Sequence, residues 1–341
     1  MDVGFGATSV SAIKPSWAYN AGWLWFCLCI PSAALAFFWM NNMPTHGETS
    51  TLQNLKNFWW MEIVGLLAAF LSVLTLIQTR DAEAFQSSGG KIGRNMLLVF
   101  IAAFIEHIFM WFITPTSPRA RVRTQATIFT KKHTYIMTWL YIMCFGSFIG
   151  YSGAFPKLIT DLFGYITDEN GEEITNPNAP NVFTFAWMGA AVGSLIRPVG
   201  GILSDKFGGA KVTFVSIIVC TAAAMGQAVV VQKTRELEKP EENFGIFLFL
   251  FLVLFFCTGT MNGSTFRTIS VLFEPEIAGP VLGWSSAIAS YGAFVIPAMF
   301  GVAISAGKPE TTFWCLSGYY VSCAILNFWY YIRPGCEKPG V

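Results

Sequence analysis

Apolar runs close to the ~20-residue length that crosses a bilayer recur along this chain from end to end. They lie near residues 19–40, 58–78, 95–115, 135–156, 183–204, 211–232, 244–273, 281–304 and 312–332, which makes nine expected spans. Polar stretches separate them. Residues 1–18 are polar with Gly and Ser, and read as a loop-like N-terminus. Residues 157–182 hold Asp168, Glu169, Glu172 and Glu173 beside an Asn-Pro-Asn turn, and read as an exposed loop. Residues 233–243 are a second charged connection. Alternation of period two is absent, which argues against a barrel. The pattern predicts an all-α, polytopic helical membrane protein.

Composition agrees. Of 341 residues, 54% are hydrophobic and only 12% charged, more apolar surface than a soluble domain can bury. The net charge of +1 gives no reason to expect a nucleic-acid partner. Cys27, Cys29, Cys144, Cys220, Cys257, Cys315 and Cys323 fall in expected spans and Cys336 in the tail; their spacing fits neither a disulfide framework nor a zinc site, and packing is the expected role. No basic stretch followed by a short apolar one opens the chain, so no cleavable signal is expected. His46 and His133 read as lone loop histidines with no assigned role. No metal or cofactor motif appears.

Positive charge in short loops sets orientation. Arg119, Arg121, Arg123, Lys131 and Lys132 precede the fourth span and are placed in the cytoplasm. The acidic loop 157–182 is then outside, and the Lys206/Lys211 turn and the tail 334–341 inside. One region opposes this: the outer loop between spans two and three carries Arg80, Lys91 and Arg94, against Lys56 on the other side.

Of the 21 Lys and Arg residues, only Arg197 and Arg267 fall inside spans. A cation held in hydrocarbon costs roughly 2.5–3.5 kcal/mol and usually faces a bundle interior or a water-filled path. Arg197 precedes Asp205 by eight residues, about 12 Å along a helix, near the limit of snorkelling. A snorkelling or purely structural arginine is the plainer reading. Pro198 favours function, because it leaves the Ser194 carbonyl without its helical donor.

Four further patterns bear on chemistry. Gly200-Gly201-Ile202-Leu203-Ser204-Asp205-Lys206-Phe207-Gly208-Gly209-Ala210-Lys211 suits two helices joined by a tight basic turn; Asp205 can cap the next helix or pair with a cation. Tyr141, Phe145, Phe148 and Ser152 share a helix face beside small residues, either as packing or as aromatic walls for a planar anion held by an arginine. Gly259-Thr260-Met261-Asn262-Gly263-Ser264 combines Gly-x-x-x-Gly spacing with neutral polar groups, so close packing and ligand contact stand level. Arg267 beyond it reads as a gate or snorkelling residue. Gly283, Ser286, Ser290, Ala293 and Pro297 form one small-residue face. Glu62, Glu106 and His107 lie in spans two and three, where Glu106 and His107 can relay protons or be neutral or paired.

These runs together resemble the nitrate/nitrite porter family of the major facilitator superfamily. Residues 135–333 are similar to its second six-helix half, 19–40 to the last helix of its first half, and 41–134 form an inserted hairpin and basic loop. The resemblance implies that Arg197 clamps the anion, Tyr141 supplies a hydroxyl and Phe145 an aromatic wall. Ser286, with Gly283 and Gly292, belongs to a signature helix. Asn262 and Ser264 are further binding residues. Gly201, Asp205, Lys206, Gly208 and Gly209 form the loop motif. It also implies alternating access, with nitrate and nitrite as partners, and protons as well if transport is by symport. The family's first five helices have no counterpart here, so an N-terminally truncated chain that needs a missing N-terminal half is the expectation. An inner (plasma) membrane location follows. Nitrate–nitrite exchange and proton symport stay open, the lack of a carboxylate matched to Arg197 favouring exchange. The alternatives are a facilitator for another small anion and a non-transporting half-transporter subunit.

Overall fold

The computed structural model describes residues 15–39, 51–79, 82, 87–108, 111, 123, 125–167 and 172–341. Residues 1–14, His46, Arg80, Arg119, Arg121, Asp168 and Glu169 lie outside them, as do the side chains of Glu106 and His107. The chain divides into two units, 1–67 and 68–341.

The first unit holds α1 (Pro15–Trp39) and the opening turns of α2 (Thr51–Gln78). Helix α1 starts inside the expected loop 1–18. A proline at the first helical position explains this, since its fixed φ suits a helix start and its missing N–H needs no partner there. Trp23, Phe26, Phe37, Phe38 and Trp39 are exposed, as are Leu55, Phe58 and Trp59 on α2. Rings and leucines on this scale need a bilayer to cover them.

The second unit takes in the rest of α2, then α3 (Ser88–Ile108), α4 (Lys132–Phe163), α5 (Val182–Phe207), α6 (Gly209–Arg235), α7 (Phe244–Leu272), α8 (Pro275–Ser290), α9 (Gly292–Ser305) and α10 (Glu310–Asn327). Among the described residues, six helical stretches are long and apolar enough to cross a membrane, α8 and α9 together forming one of them. The protein is a multi-pass, all-α membrane protein. Helices α2 and α3 start earlier than expected, which brings Lys56, Lys91 and Arg94 into their first two turns. Helix α4 runs past the expected end at 156, through Pro156, to Phe163.

The expected exposed loop 157–182 is therefore shorter and partly built. Strands β1 (Tyr165–Thr167) and β2 (Glu173–Thr175) pair antiparallel with Ile166 opposite Ile174. Asn176 ties the hairpin down: its amide donates to the Phe163 carbonyl at 3.0 Å and to Glu241 at 2.9 Å.

Helices α5 and α7 meet along glycines. A Cβ on Gly200 would sit 2.4 Å from the Thr260 carbonyl oxygen, and one on Gly259 would sit 2.2 Å from that of Gly193. Backbones this close leave no room for side chains. Beside this seam, Tyr151, Phe155, Phe247, Phe251, Phe255 and Phe313 form a buried aromatic core, with Phe155 stacked on Phe251 at 4.4 Å. The Tyr151 and Tyr320 hydroxyls bond at 2.6 Å, and Tyr320 donates to Ser147 at 2.9 Å. No buried hydroxyl in that chain is left unpaired, as an apolar interior demands.

The tail 334–341 is docked. Cys336 and Val341 are buried, and the Val341 carbonyl accepts from the Ala210 N–H at 3.0 Å. Glu337 pairs with Lys132 and lies 3.2 Å from His133 Nε2, while His133 Nδ1 lies 3.0 Å from the Tyr331 hydroxyl. His133, a lone loop histidine by sequence, is thus a buried residue joining the first turn of α4 to the tail.

Candidate anion-binding site

Helix α4 is not uniform. Ile142–Gly146 forms a π-turn between two α-helical parts. Such turns are often found at functional sites because the extra residue re-aims side chains. Tyr141 precedes it and Phe145 lies within it, and their rings stack with centroids 5.5 Å apart.

Arg197 on α5 meets this face. Its guanidinium carbon lies 4.3 Å from the Phe148 ring centroid and 5.8 Å from that of Phe145. Its Nε is buried and has no hydrogen-bond partner. Among the described residues no carboxylate pairs with it. The cation is therefore neither extended into solvent alone nor neutralised by an internal counter-charge. Tyr141 is fully buried, and its hydroxyl accepts from the Asn262 amide on α7 at 3.3 Å. Ser286 on α8 is within interaction range of the same hydroxyl. Arg197, Tyr141, Phe145, Asn262 and Ser286 thus come together from four helices: a cation with free N–H donors, neutral polar groups and two ring faces. That set can hold a small planar anion, since guanidinium matches paired oxygens and rings can cover a planar face.

Other sequence-picked residues sit elsewhere. Ser264 bonds Thr213 of α6 at 2.6 Å and the Met261 carbonyl at 3.1 Å, so its hydroxyl is committed to helix packing. Gly263 is pressed on the Arg197 backbone, where a Cβ would lie 2.1 Å from the carbonyl oxygen. The Gly-x-x-x-Gly spacing therefore serves the α5–α7 seam. In the signature helix, Gly283 meets nothing within 4 Å, whereas Gly292 abuts the Gly146 backbone at the α8–α9 break. Ser290 bonds back to the Ser286 carbonyl at 2.8 Å.

In the loop motif, Gly208 adopts φ of +93°, a turn conformation suited to glycine, and a Cβ on Gly209 would strike Thr268. Gly201 has open space around it. Asp205 does not cap α6; its carboxylate lies 3.4 Å from Arg267 Nε, which resolves the two sequence readings of Asp205 and gives Arg267 a partner. Lys206 lies over the Phe207 ring at 5.4 Å. Glu62 is exposed on α2. The π-turn escaped sequence reading, because nothing in Ile142–Gly146 distinguishes it from an ordinary helix.

No family model matches the chain. Curated relatives do. The probable nitrate/nitrite antiporter NarK2 of Thermus thermophilus is 38% identical over 234 residues, covering 68% of this chain and 49% of the relative. The chain is a homologue of the nitrate/nitrite porters. The nitrate/nitrite transporter NarU of Escherichia coli is 29% identical to this porter homologue, over 80% of the chain and 60% of the relative. The nitrite extrusion protein of Bacillus subtilis is 23% identical, over 72% and 57%. This porter homologue spans about half to three-fifths of the length of the curated relatives it matches. The family resemblance read from the residue blocks is shown by these matches.

Proposed function

We propose that this chain takes part in moving nitrate and nitrite across the membrane by alternating access, with Arg197 as the cation that meets the anion. The observation that carries this reading is the Arg197 guanidinium, which has aromatic rings beside it, a buried Nε without a partner and no paired carboxylate among the described residues. The names of the relatives support nitrate and nitrite as substrates and a transporter rather than an enzyme.

Exchange of nitrate for nitrite is preferred over proton symport, because a fixed, uncompensated cation suits an anion on both strokes while symport needs a titrating group beside the site. Symport would fall to Glu106 or His107. The location proposed is the inner (plasma) membrane, with the tail cytoplasmic.

The test is nitrate binding to the purified chain together with labelled nitrate uptake into vesicles. Wild type binds and takes up nitrate, competed by nitrite and not by lactate. Arg197→Lys loses both, since an ammonium lacks the two-pronged geometry. Normal uptake by that variant removes the clamp. Competition by lactate points to a facilitator for another anion. Binding without uptake assigns the chain to a second reading, a half that holds the anion and needs a partner half to carry it.

A further inference from the structure

We propose that Phe148, seated in the space left by Gly193, is the positioning residue that holds the Arg197 guanidinium at the site. The inference rests on the reading of Arg197 as the anion's cation. It starts from a ladder on one face of α5. Gly189, Gly193 and Arg197 are spaced i, i+4, i+8, so they stack one turn above another. Phe255 lies over the first glycine: a Cβ there would be 2.2 Å from its ring. Phe148 lies over the second: a Cβ on Gly193 would be 2.5 Å from Phe148 Cε2 and 2.9 Å from the Phe255 carbonyl. Phe148 in turn meets Phe255 edge-on at 5.7 Å and 88°. The ring is therefore held by Gly193 and Phe255, and it meets the Arg197 guanidinium at 4.3 Å, the closer of that cation's two rings.

A ring is a different kind of partner from a carboxylate. Its π-face attracts the cation and limits the arginine's rotamers, yet neutralises no charge and accepts none of the in-plane N–H bonds. Arg197 is thus held in place with its charge and donors still available. An aspartate there would hold it equally well and close the site to anions. The two glycines matter because any side chain at Gly193 would displace the ring.

The test separates this role from simple core filling and from the proposed substrate. The full chain in detergent is treated with phenylglyoxal without added anion, and modification of Arg197 is followed by mass spectrometry against the other arginines. Phe148→Leu keeps apolar bulk but no π-face, and Phe148→Tyr keeps the ring. Gly193→Ala moves the ring while leaving Phe148 and Arg197 unchanged in sequence. Phe148→Leu and Gly193→Ala should speed Arg197 labelling about fivefold and weaken nitrate binding by about the same factor, and Phe148→Tyr should restore both to near wild type. Arg197 labelling at the wild-type rate in both Phe148→Leu and Gly193→Ala overturns the proposal. So does faster labelling with unchanged nitrate affinity. Should labelling respond as expected while wild type binds neither nitrate nor nitrite, the Phe148 platform stands and the proposed substrate falls.

Discussion

Tyr141 and Asn262 share one hydrogen bond in the site, and through it the buried Asn262 amide finds a side-chain acceptor. Removing the hydroxyl leaves a buried amide N–H without that acceptor, which costs about 1–3 kcal/mol, more than the bond itself contributes net. Tyr141→Phe should therefore lower the thermal unfolding temperature in detergent, and Tyr141→Phe with Asn262→Leu should recover part of it. For the anion both variants should weaken nitrate binding, because either way the Tyr141 hydroxyl is gone. A double variant no more stable than Tyr141→Phe alone would show that the amide finds another partner. Arg267 has a charged partner instead: Asp205, with its side chain 74% exposed, pairs with it at 3.4 Å. With the carboxylate this open to solvent the pair contributes little, so Asp205→Asn should leave thermal unfolding nearly unchanged.

At the scale of helices, the glycines divide by what a methyl group would strike. On Gly263 it would lie 2.1 Å from a backbone carbonyl that cannot rotate away, so α5 and α7 must part. Gly263→Ala should destabilise by on the order of 1–3 kcal/mol. Gly283 has nothing within 4 Å and lies within α8, so Gly283→Ala should raise stability by about 0.5–1 kcal/mol through helix propensity alone. Thermal unfolding of the two variants side by side checks the sign. Sequence alone made the glycine pattern visible, because small residues at i, i+4 spacing announce close helices, but it could not say which side of a glycine was occupied. Gly283 and Gly292 looked equivalent and are not. Helix existence was equally legible, since apolar runs of bilayer length have few other uses. Helix ends were less so: Pro15 reads as a loop residue until the turn after it is seen to be helical, and Pro156 as a stop that α4 passes through. Arg197 was legible because a charge in an apolar run has a cost that must be answered. The π-turn was not, because its extra residue is a matter of backbone bonding that ordinary side chains do not signal.

Across the whole second unit, the tail joins elements far apart in the chain. The residue at the N-cap of α6 is Gly208, which has no side chain to cap the helix, so its first N–H groups need acceptors from elsewhere. Val341 supplies one to Ala210, and the Asn327 amide holds the Ala210 carbonyl at 2.8 Å. The tail reaches that place because Glu337 is held by Lys132 and His133 at the start of α4. The hydrogen bond from Lys132, with a smaller one from His133, keeps the Glu337 carboxyl below the usual carboxylate range. A carboxyl lowered on folding favours the docked tail above its undocked value, and that preference is lost as pH falls through the docked one. Exchange protection of the Ala210 amide should therefore hold from neutral pH to about 5 and fall below about 4, ahead of amides deeper in α6 such as Ile217. Glu337→Gln should lower Ala210 protection across the whole range and leave Ile217 unchanged, because the neutral amide keeps a hydrogen bond to Lys132 but loses the charge that ordered it. If Ala210 instead tracks Ile217 at every pH in both proteins, the tail is held by the burial of Cys336 and Val341, and the Lys132–Glu337 pair only accompanies it.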